Sequence, residues 1–183
     1  MTYGSTDIAA AFRTVRANTI KTAEDIPEGK YDFRAAPESR SIKETLAHIA
    51  VGPWFQLYIH QGNVSDLKTV NFMELFGKFG AEEAKPRTKA ELIAFLKSEG
   101  ERFAHYVGSL DESFLQQEVR MPPGAEPASK SRFEMLLSPK EHEMHHRGQL
   151  MMLERMVGVV PHLTRQMQER MAQMQAAAGQ AAR

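Results

Sequence analysis

The chain has 183 residues, of which 42% are hydrophobic and 25% are charged, a composition that is ordinary for a single globular domain. Lysine plus arginine equals aspartate plus glutamate at 23 each, so no basic excess supports nucleic-acid binding through phosphate neutralisation. The absence of cysteine excludes disulfides, thiolate metal ligands and a cysteine nucleophile.

Signals for export and for membrane insertion are also missing from the sequence. The first residues lack a basic segment followed by an apolar run, which a secretory signal requires. No run of eighteen consecutive apolar residues occurs, so we expect no membrane-spanning helix. We therefore expect a cytoplasmic protein with neither a membrane nor a nucleic-acid partner.

The first half of the chain predicts two long helices and one short helix. Apolar residues at helical spacing predict a first helix that runs to about Glu24. Ser41 and Glu44 form a capping box at the start of the second helix, and Pro53 should kink or break that helix. A short helix is predicted around residues 72–79.

The second half predicts two further long helices. The third begins at a capping box headed by Thr88 and runs to about Leu110. The fourth begins after Ser131, again at a capping box, and ends near Gly158. Pro139 predicts a kink or a split inside this last helix.

Together these segments predict an all-α protein, a four-helix bundle, because no convincing alternating strand pattern occurs and the connections are rich in glycine and proline. The bundle domain should span residues 5–163. Residues 164–183 consist mainly of glutamine, alanine, methionine and arginine, and we expect them to form a C-terminal extension that is helical or disordered.

The most informative feature is a pair of histidines, His142 and His146, on the fourth helix. Positions four apart lie about 40° from each other on one helical face, so the two imidazoles can bind one metal ion from consecutive turns. The same stripe continues through Leu150 and Leu153, which places both rings among core-facing residues. Burying two unpaired imidazoles is costly, and a metal ion would satisfy both.

A third ligand has to come from another helix. His48 lies between Ala47 and Ile49 on the largely apolar second helix, where a solvated histidine is hard to arrange. In helical bundles, metal sites are built from side chains that face inward on neighbouring helices. His48, His142 and His146 would then supply three nitrogens and leave a coordination position open, which is typical of a catalytic site.

Simpler interpretations stay open at this point. The H-x-x-x-H spacing also arises by chance on a histidine-rich face, and His48 can be a core histidine bonded to a carbonyl group. The remaining histidines are expected elsewhere: His60 and His162 at the surface, and His105 in a polar pair with Glu101.

Four stretches of sequence carry a resemblance to a known family: the Asp32–Arg34 loop, Arg40–Ile42 leading to Leu46–Ala50, Glu141–His142 with His145–Leu150, and Gly158–Leu163. Over roughly residues 5–164 the chain resembles the DinB family, also called DinB/YfiT-like metalloenzymes. The resemblance implies a four-helix bundle, a divalent metal held by one histidine of helix two and two of helix four, and frequent homodimers. Those ligand positions correspond to His48, His142 and His146. Pro53 departs from the family pattern without removing a ligand.

The wider family that the chain resembles includes S-transferases and isomerases that use low-molecular-weight thiols such as bacillithiol or mycothiol. We therefore expect a divalent-metal-dependent enzyme that acts on a small molecule. Zinc or nickel is favoured, although all-nitrogen ligation suits several metals. The hypothesis is a thiol S-transferase in which the metal lowers the pKa of the thiol, which then attacks a small electrophile.

Two alternatives accompany this hypothesis. In a metal-dependent hydrolase the base would be Glu44 or Glu143, although Glu44 serves equally well as the capping-box residue. His145 is a further candidate for a catalytic or substrate-facing group. In the other alternative the protein is a non-catalytic helical bundle whose metal only stabilises the second and fourth helices.

Overall fold

A computed structural model describes residues 3–181, and most of these residues are helical. The helices are α1 (Ser5–Asp25), α2 (Ile42–Val51), α3 (Trp54–Gln61), α4 (Phe72–Glu83), α5 (Lys89–Gly108), α6 (Glu112–Leu115), α7 (Arg132–Met156) and α8 (His162–Ala181). Two short strands, β1 (Glu118–Arg120) and β2 (Ser129–Ser131), pair antiparallel. The sequence analysis did not predict this ribbon, because three-residue strands are too short to show alternation.

The predicted four-helix bundle is confirmed. Both α1 and α2 pack against α5 and α7, and α3 continues the line of α2 along α7. Phe12 of α1 and Phe103 of α5 meet edge to face in one part of the core, with ring centroids 4.7 Å apart. Leu46 of α2, Leu96 of α5 and Leu150 of α7 fill another part. The apolar stripes read from the sequence therefore face one another inside the bundle.

The predicted interruption of the second helix is confirmed at Gly52 and Pro53. The α2 helix ends at Val51, and α3 begins at Trp54. Pro53 has no N–H to donate, so the ladder of helical hydrogen bonds cannot pass through it. Both linking residues keep right-handed helical backbone angles, so α3 follows α2 closely and the two segments together form one side of the bundle.

The alternative of a split at Pro139 is wrong, because α7 is continuous from Arg132 to Met156. A proline at this position removes the N–H that would normally bond the carbonyl group of Met135. The hydroxyl of Ser138 donates to that carbonyl instead, at 2.8 Å, and Gln56 of α3 in turn donates to Ser138 at 3.0 Å. The orphaned acceptor is thus satisfied, and the helix can continue.

The sequence placed His60 at the surface, and the structure corrects this, because only 2% of His60 is exposed. The guanidinium of Arg132 donates to its Nδ1 at 3.0 Å, and its Nε2 lies 3.0 Å from the side-chain oxygen of Gln56. Burial, reinforced by the charge of Arg132, lowers the pKa of His60 to about 3. His60 is a neutral core histidine that joins α3 to the start of α7.

The expectation that His162 is exposed is also wrong. His162 begins α8, is only 3% exposed, and has its Nε2 3.2 Å from the side-chain oxygen of Asn18 on α1. Arg165 pairs with Asp25 at 2.6 Å and adds a second link between the same two helices. From residue 166 onward the side chains of α8 that the structure describes are exposed. No helix within residues 3–181 combines the length and apolar character needed to cross a bilayer.

A buried ion pair between Arg16 and Glu143 connects the four long segments of the bundle. The Nε atom of Arg16 on α1 lies 2.9 and 3.0 Å from the two carboxylate oxygens of Glu143 on α7. The same guanidinium donates to the carbonyl groups of Leu96 on α5 and Ile49 on α2. Gly100 leaves room for it, since a Cβ there would lie 2.8 Å from Cγ of Arg16.

A second buried acid, Glu154 of α7, has a different environment. It is fully buried, and within residues 3–181 neither carboxylate oxygen has a hydrogen-bond partner. Burial, together with the nearby charge of Asp25, raises the pKa of Glu154 to about 7. The folded protein therefore holds this proton more tightly than the unfolded chain does, so ionisation of Glu154 opposes folding.

The substitution Glu154→Gln tests that conclusion, because it keeps the shape of the side chain and removes its titration. Wild-type stability should fall as pH rises from the ordinary glutamate value near 4.5 to about 7, whereas the variant should not lose this contribution. We expect metal-free E154Q to be about 1–3 kcal/mol more stable than wild type at about pH 8, and little different at about pH 5. Urea unfolding at both pH values measures the difference, and a variant that is no more stable at the higher pH contradicts it.

Candidate metal centre

The structure brings His48, His142 and His146 together, as the sequence predicted. His48 lies on α2, and the other two lie one turn apart on α7. The Nε2 atom of His142 is 3.0 Å from Nε2 of His48 and 3.2 Å from Nε2 of His146. One ligand atom from each of the three residues lies within 4.8 Å of the others. This convergence of three ring nitrogens from two helices is the geometry that a shared cation requires.

Hydrogen bonds at the far side of two rings determine which nitrogen carries the proton. The Nδ1 atom of His48 lies 2.9 Å from a carboxylate oxygen of Glu83 on α4. The Nδ1 atom of His146 lies 2.8 Å from the side-chain oxygen of Gln149. Because both oxygens are acceptors, both Nδ1 atoms donate, and each Nε2 presents a lone pair to the centre of the cluster.

The cluster fits a metal ion better than it fits any set of hydrogen bonds among its own members. The lone pairs of His48 and His146 both point toward Nε2 of His142, which has at most one proton to donate. Two nitrogens bound to one ion at about 2.0–2.1 Å lie about 2.8–3.4 Å apart at octahedral or tetrahedral angles, a range that includes both separations from His142. A cation would accept all three lone pairs at once.

The environment keeps two of the rings, those of His142 and His146, in the neutral form that metal binding needs. Burial, reinforced by the mutual influence of the three rings, lowers the pKa of His142 to about 4. Burial also lowers the pKa of His146, although its bond to Gln149 acts in the opposite direction. Neutral imidazoles at physiological pH can coordinate a cation without first losing a proton.

The interruption between α2 and α3 makes room for one of the rings. An ideal Cβ on Gly52 would lie 2.9 Å from Nδ1 of His142 and 3.3 Å from the carbonyl oxygen of Ile49. The glycine at this position therefore lets the ring of His142 lie directly against the backbone of the break. Sequence reasoning recognised the break at Pro53 but not the purpose of the glycine before it.

Two residues that orient the rings were missed or only partly foreseen from the sequence. Glu83 was not singled out, because the short helix was predicted to end near residue 79, whereas α4 extends to Glu83. The sequence suggests Gln149 only as a hydrogen-bonding partner of a ligand or of a helix end. In the structure it contacts two histidines: its oxygen faces Nδ1 of His146, and its amide nitrogen lies 3.1 Å from Nε2 of His145. The signal available in the sequence was the spacing of Gln149, which follows the candidate ligand His146 by three residues and so lies on the same side of the helix.

The candidate catalytic residues named from the sequence lie in other environments. Glu44 forms the capping box with Ser41 and pairs with Arg34 at 2.6 Å. It therefore has the capping role that the sequence offered as the alternative to catalysis. Glu143 points away from the histidines into its buried ion pair with Arg16. Because both carboxylate oxygens are bonded to Arg16, this geometry gives no support to Glu143 as a hydrolytic base. His145 is exposed, with its ring 4.9 Å from that of His146.

An open groove of about 820 Å³ runs along α7 beside the cluster. His146 and Gln149 lie at its polar part, and Met152, Leu153 and Met156 supply apolar surface. Its opposite wall is formed by the loop before α2, residues 35–40. Pockets of this size accommodate ordinary small molecules. A ligand in the groove would contact a ring of the three-histidine cluster.

Comparison with known proteins agrees with this geometry. The family model described as the DinB superfamily matches residues 11–150 of the chain. The chain belongs to the DinB superfamily. The matched range includes all three histidines, and the resemblance recognised from the sequence is thereby confirmed.

Members of the superfamily with known sequences or structures resemble the whole bundle. The uncharacterized protein YjoA of Bacillus subtilis is 24% identical over 159 residues, which cover 84% of this chain and 91% of YjoA. The YjoA crystal structure superposes with a TM-score of 0.60 over 82% of this chain and 92% of that one.

Two further solved structures share the fold at lower sequence identity. YfiT from Bacillus subtilis, described as "a probable metal-dependent hydrolase with an unusual four-helix bundle topology", gives a TM-score of 0.64 at 12% identity, over 85% of this chain and 88% of YfiT. An uncharacterized protein from Clostridium difficile 630 gives a TM-score of 0.63 at 13% identity, over 86% of this chain and 99% of that protein. These likenesses establish the fold.

Gly52→Ala should weaken metal binding without unfolding the protein. The backbone of Gly52 is already right-handed helical, so alanine adopts it without strain, and the new Cβ displaces the ring of His142. We expect zinc affinity to fall about 10–100-fold, as for other changes just outside a ligand shell. Competition with a chromogenic chelator measures the affinity, and circular dichroism reports the fold.

Gly148→Ala is the matched control, because a Cβ at this exposed position on α7 meets nothing within 4 Å. It should bind zinc like the wild type. Equal zinc affinity in G52A and wild type would show that the ring of His142 does not depend on this glycine.

Proposed function

We propose that this protein is a divalent-metal-dependent enzyme in which His48, His142 and His146 hold the ion. The observation that carries the proposal is the convergence of three Nε2 atoms, two of them aimed inward by bonds to Glu83 and Gln149. Three protein ligands leave a coordination position for a reacting group, which distinguishes catalytic from structural sites. Zinc or nickel suits three imidazole nitrogens.

The reaction that we propose is thiol S-transfer with a low-molecular-weight thiol as co-substrate. When bound, a divalent ion supplies Lewis acidity that lowers the pKa of a coordinated thiol or water molecule. In the transfer, the thiol loses its proton to solvent, its sulfur forms a bond to an electrophilic carbon, and a leaving group such as chloride departs from that carbon. The groove beside His146 offers a volume of about 820 Å³ for the two reactants.

The surroundings of the acidic residues favour S-transfer over hydrolysis. A hydrolase commonly needs a general base within reach of the attacking water. The carboxylate of Glu143 is paired with Arg16, and the carboxylate of Glu44 is bonded to the backbone of Ser41 and paired with Arg34. A thiol starts from an ordinary pKa of about 8.5, far below the value of about 15.7 for water, so it ionises on the same ion with less need of such a base.

Metal-dependent hydrolysis is the second candidate, and a specific likeness supports it. YfiT, which shares the fold over most of both chains, is described as a probable metal-dependent hydrolase. Hydrolysis would use the same three histidines and the same groove. A homodimer is part of either proposal and is supported by the family resemblance alone. The cytoplasmic location expected from the sequence is also part of either proposal.

The test is an assay of metal-loaded protein, purified without a histidine tag, with bacillithiol and chlorodinitrobenzene. Thiol transfer predicts a thioether product and chloride, formed faster than with the same concentration of free zinc or nickel. His146→Ala should lower the rate more than about 100-fold, because even partners outside the ligand shell contribute 10–100-fold. His105→Ala is the matched control at an exposed site on α5 and should keep wild-type activity.

The outcomes separate the candidate functions. A hydroxylated product formed without thiol would favour the hydrolase. No acceleration over free metal with either nucleophile, together with a loss of several kcal/mol of folding stability on metal removal, would indicate a structural metal. Failure of the protein to bind zinc or nickel would contradict the proposal as a whole.

A further inference from the structure

Arg40 lines the groove beside the three-histidine cluster. It lies on the loop that precedes α2, is exposed, and lines the same groove as His146 and Gln149. It also lines a neighbouring depression of about 350 Å³ together with Glu83, the partner of His48. Its positive charge is near enough to contribute to the lowered pKa of both His142 and His146.

The guanidinium of Arg40 is available for a ligand. No ion pair or side-chain hydrogen bond joins it to any residue of the described range 3–181. Arg34, on the same loop, differs in this respect, because it donates to the carbonyl group of Ser39 and pairs with Glu44. The loop thus holds one arginine in a structural role and leaves the other facing the groove.

The remainder of the groove limits what Arg40 can bind. Met152, Leu153 and Met156 give the groove an apolar wall, which favours a ligand with an apolar body. Among the described residues that line the groove, Arg40 is the only basic one apart from the ring of His146. Glu38, which also lines the groove, opposes an accumulation of negative charge.

The N-terminus of α2, which could otherwise help to bind a phosphate, is already capped. The backbone N–H of Ser41 donates to the Glu44 carboxylate, and the backbone N–H of Glu44 donates to the Ser41 hydroxyl. A single planar guanidinium matches the two oxygens of a carboxylate in a bidentate pair. The hydroxyl groups of Ser39 and Thr45, which also line the groove, already donate to backbone carbonyl groups. One cation of this kind suits a singly charged anion better than a doubly charged one.

We propose that Arg40 anchors the carboxylate of the substrate, so that the enzyme acts on small molecules that combine a carboxylate with an apolar body. The proposal rests on the proposed function, because it places the substrate between Arg40 and the three-histidine cluster. Arg40 acts here as a specificity-determining residue: it fixes the end of the substrate that does not react.

Binding of probe ligands to zinc-free and zinc-loaded protein tests the proposal without an activity assay. The probes are phenylbutyrate, phenylbutyramide and phenylbutyl phosphate, which share one apolar body and differ in charge. We expect zinc-free wild type to bind phenylbutyrate at least about tenfold more tightly than the amide. Arg40→Gln should remove that preference, whereas Arg170→Gln, the same change at an exposed position of α8 outside the groove lining, should keep it.

Zinc-free protein is informative because a carboxylate can also bind a metal ion directly, and the contribution of Arg40 must be present without one. Equal affinities of R40Q and wild type for phenylbutyrate, or no binding of phenylbutyrate to wild type, would overturn the proposal. Tighter binding of the phosphate probe, lost in R40Q, would overturn the assignment to carboxylates. Zinc content is measured on the same samples, so failure of the metal site is distinguished from failure of Arg40.

Discussion

The buried ion pair between Arg16 and Glu143 is the constraint on which the rest of the site depends. One guanidinium on α1 binds the carboxylate of α7 and also the carbonyl groups of Leu96 on α5 and Ile49 on α2. Glu143 follows His142 directly in the chain, and Ile49 follows His48. The ion pair and its carbonyl contacts therefore fix the rotation of the two helices that carry the histidines. Loss of one partner would leave an uncompensated buried charge, which typically costs 3–5 kcal/mol.

Residues outside the three-histidine cluster orient its rings. Glu83 and Gln149 bond the Nδ1 atoms of two rings, so that Nε2 of each faces inward, and Gly52 leaves space for the third. Such outer partners tune metal affinity in many metalloproteins. Here they come from α4, from α7 and from the break after α2, so three separate parts of the chain position a site formed by two helices.

The helices and the convergence of the cluster could be predicted from the sequence for physical reasons. Capping boxes and apolar stripes are local signals, and two histidines four residues apart must share a face of a helix. His48 could be added because a polar ring among apolar neighbours requires a partner. The burial of His60 and His162 could not be predicted, because their partners Arg132 and Asn18 lie far away in the sequence. Glu83 was missed because it lies beyond the predicted end of its helix and because its partner His48 is 35 positions away in the sequence.

The central claim is that three imidazoles share one cation, and X-ray absorption at the zinc edge of protein loaded with one equivalent of zinc tests it most directly. Imidazole rings give multiple-scattering features that allow the histidine ligands to be counted. The account predicts three histidine nitrogens at about 2.0–2.1 Å, together with oxygen ligands from solvent. A zinc shell with oxygen ligands only, or with a single histidine, would contradict it.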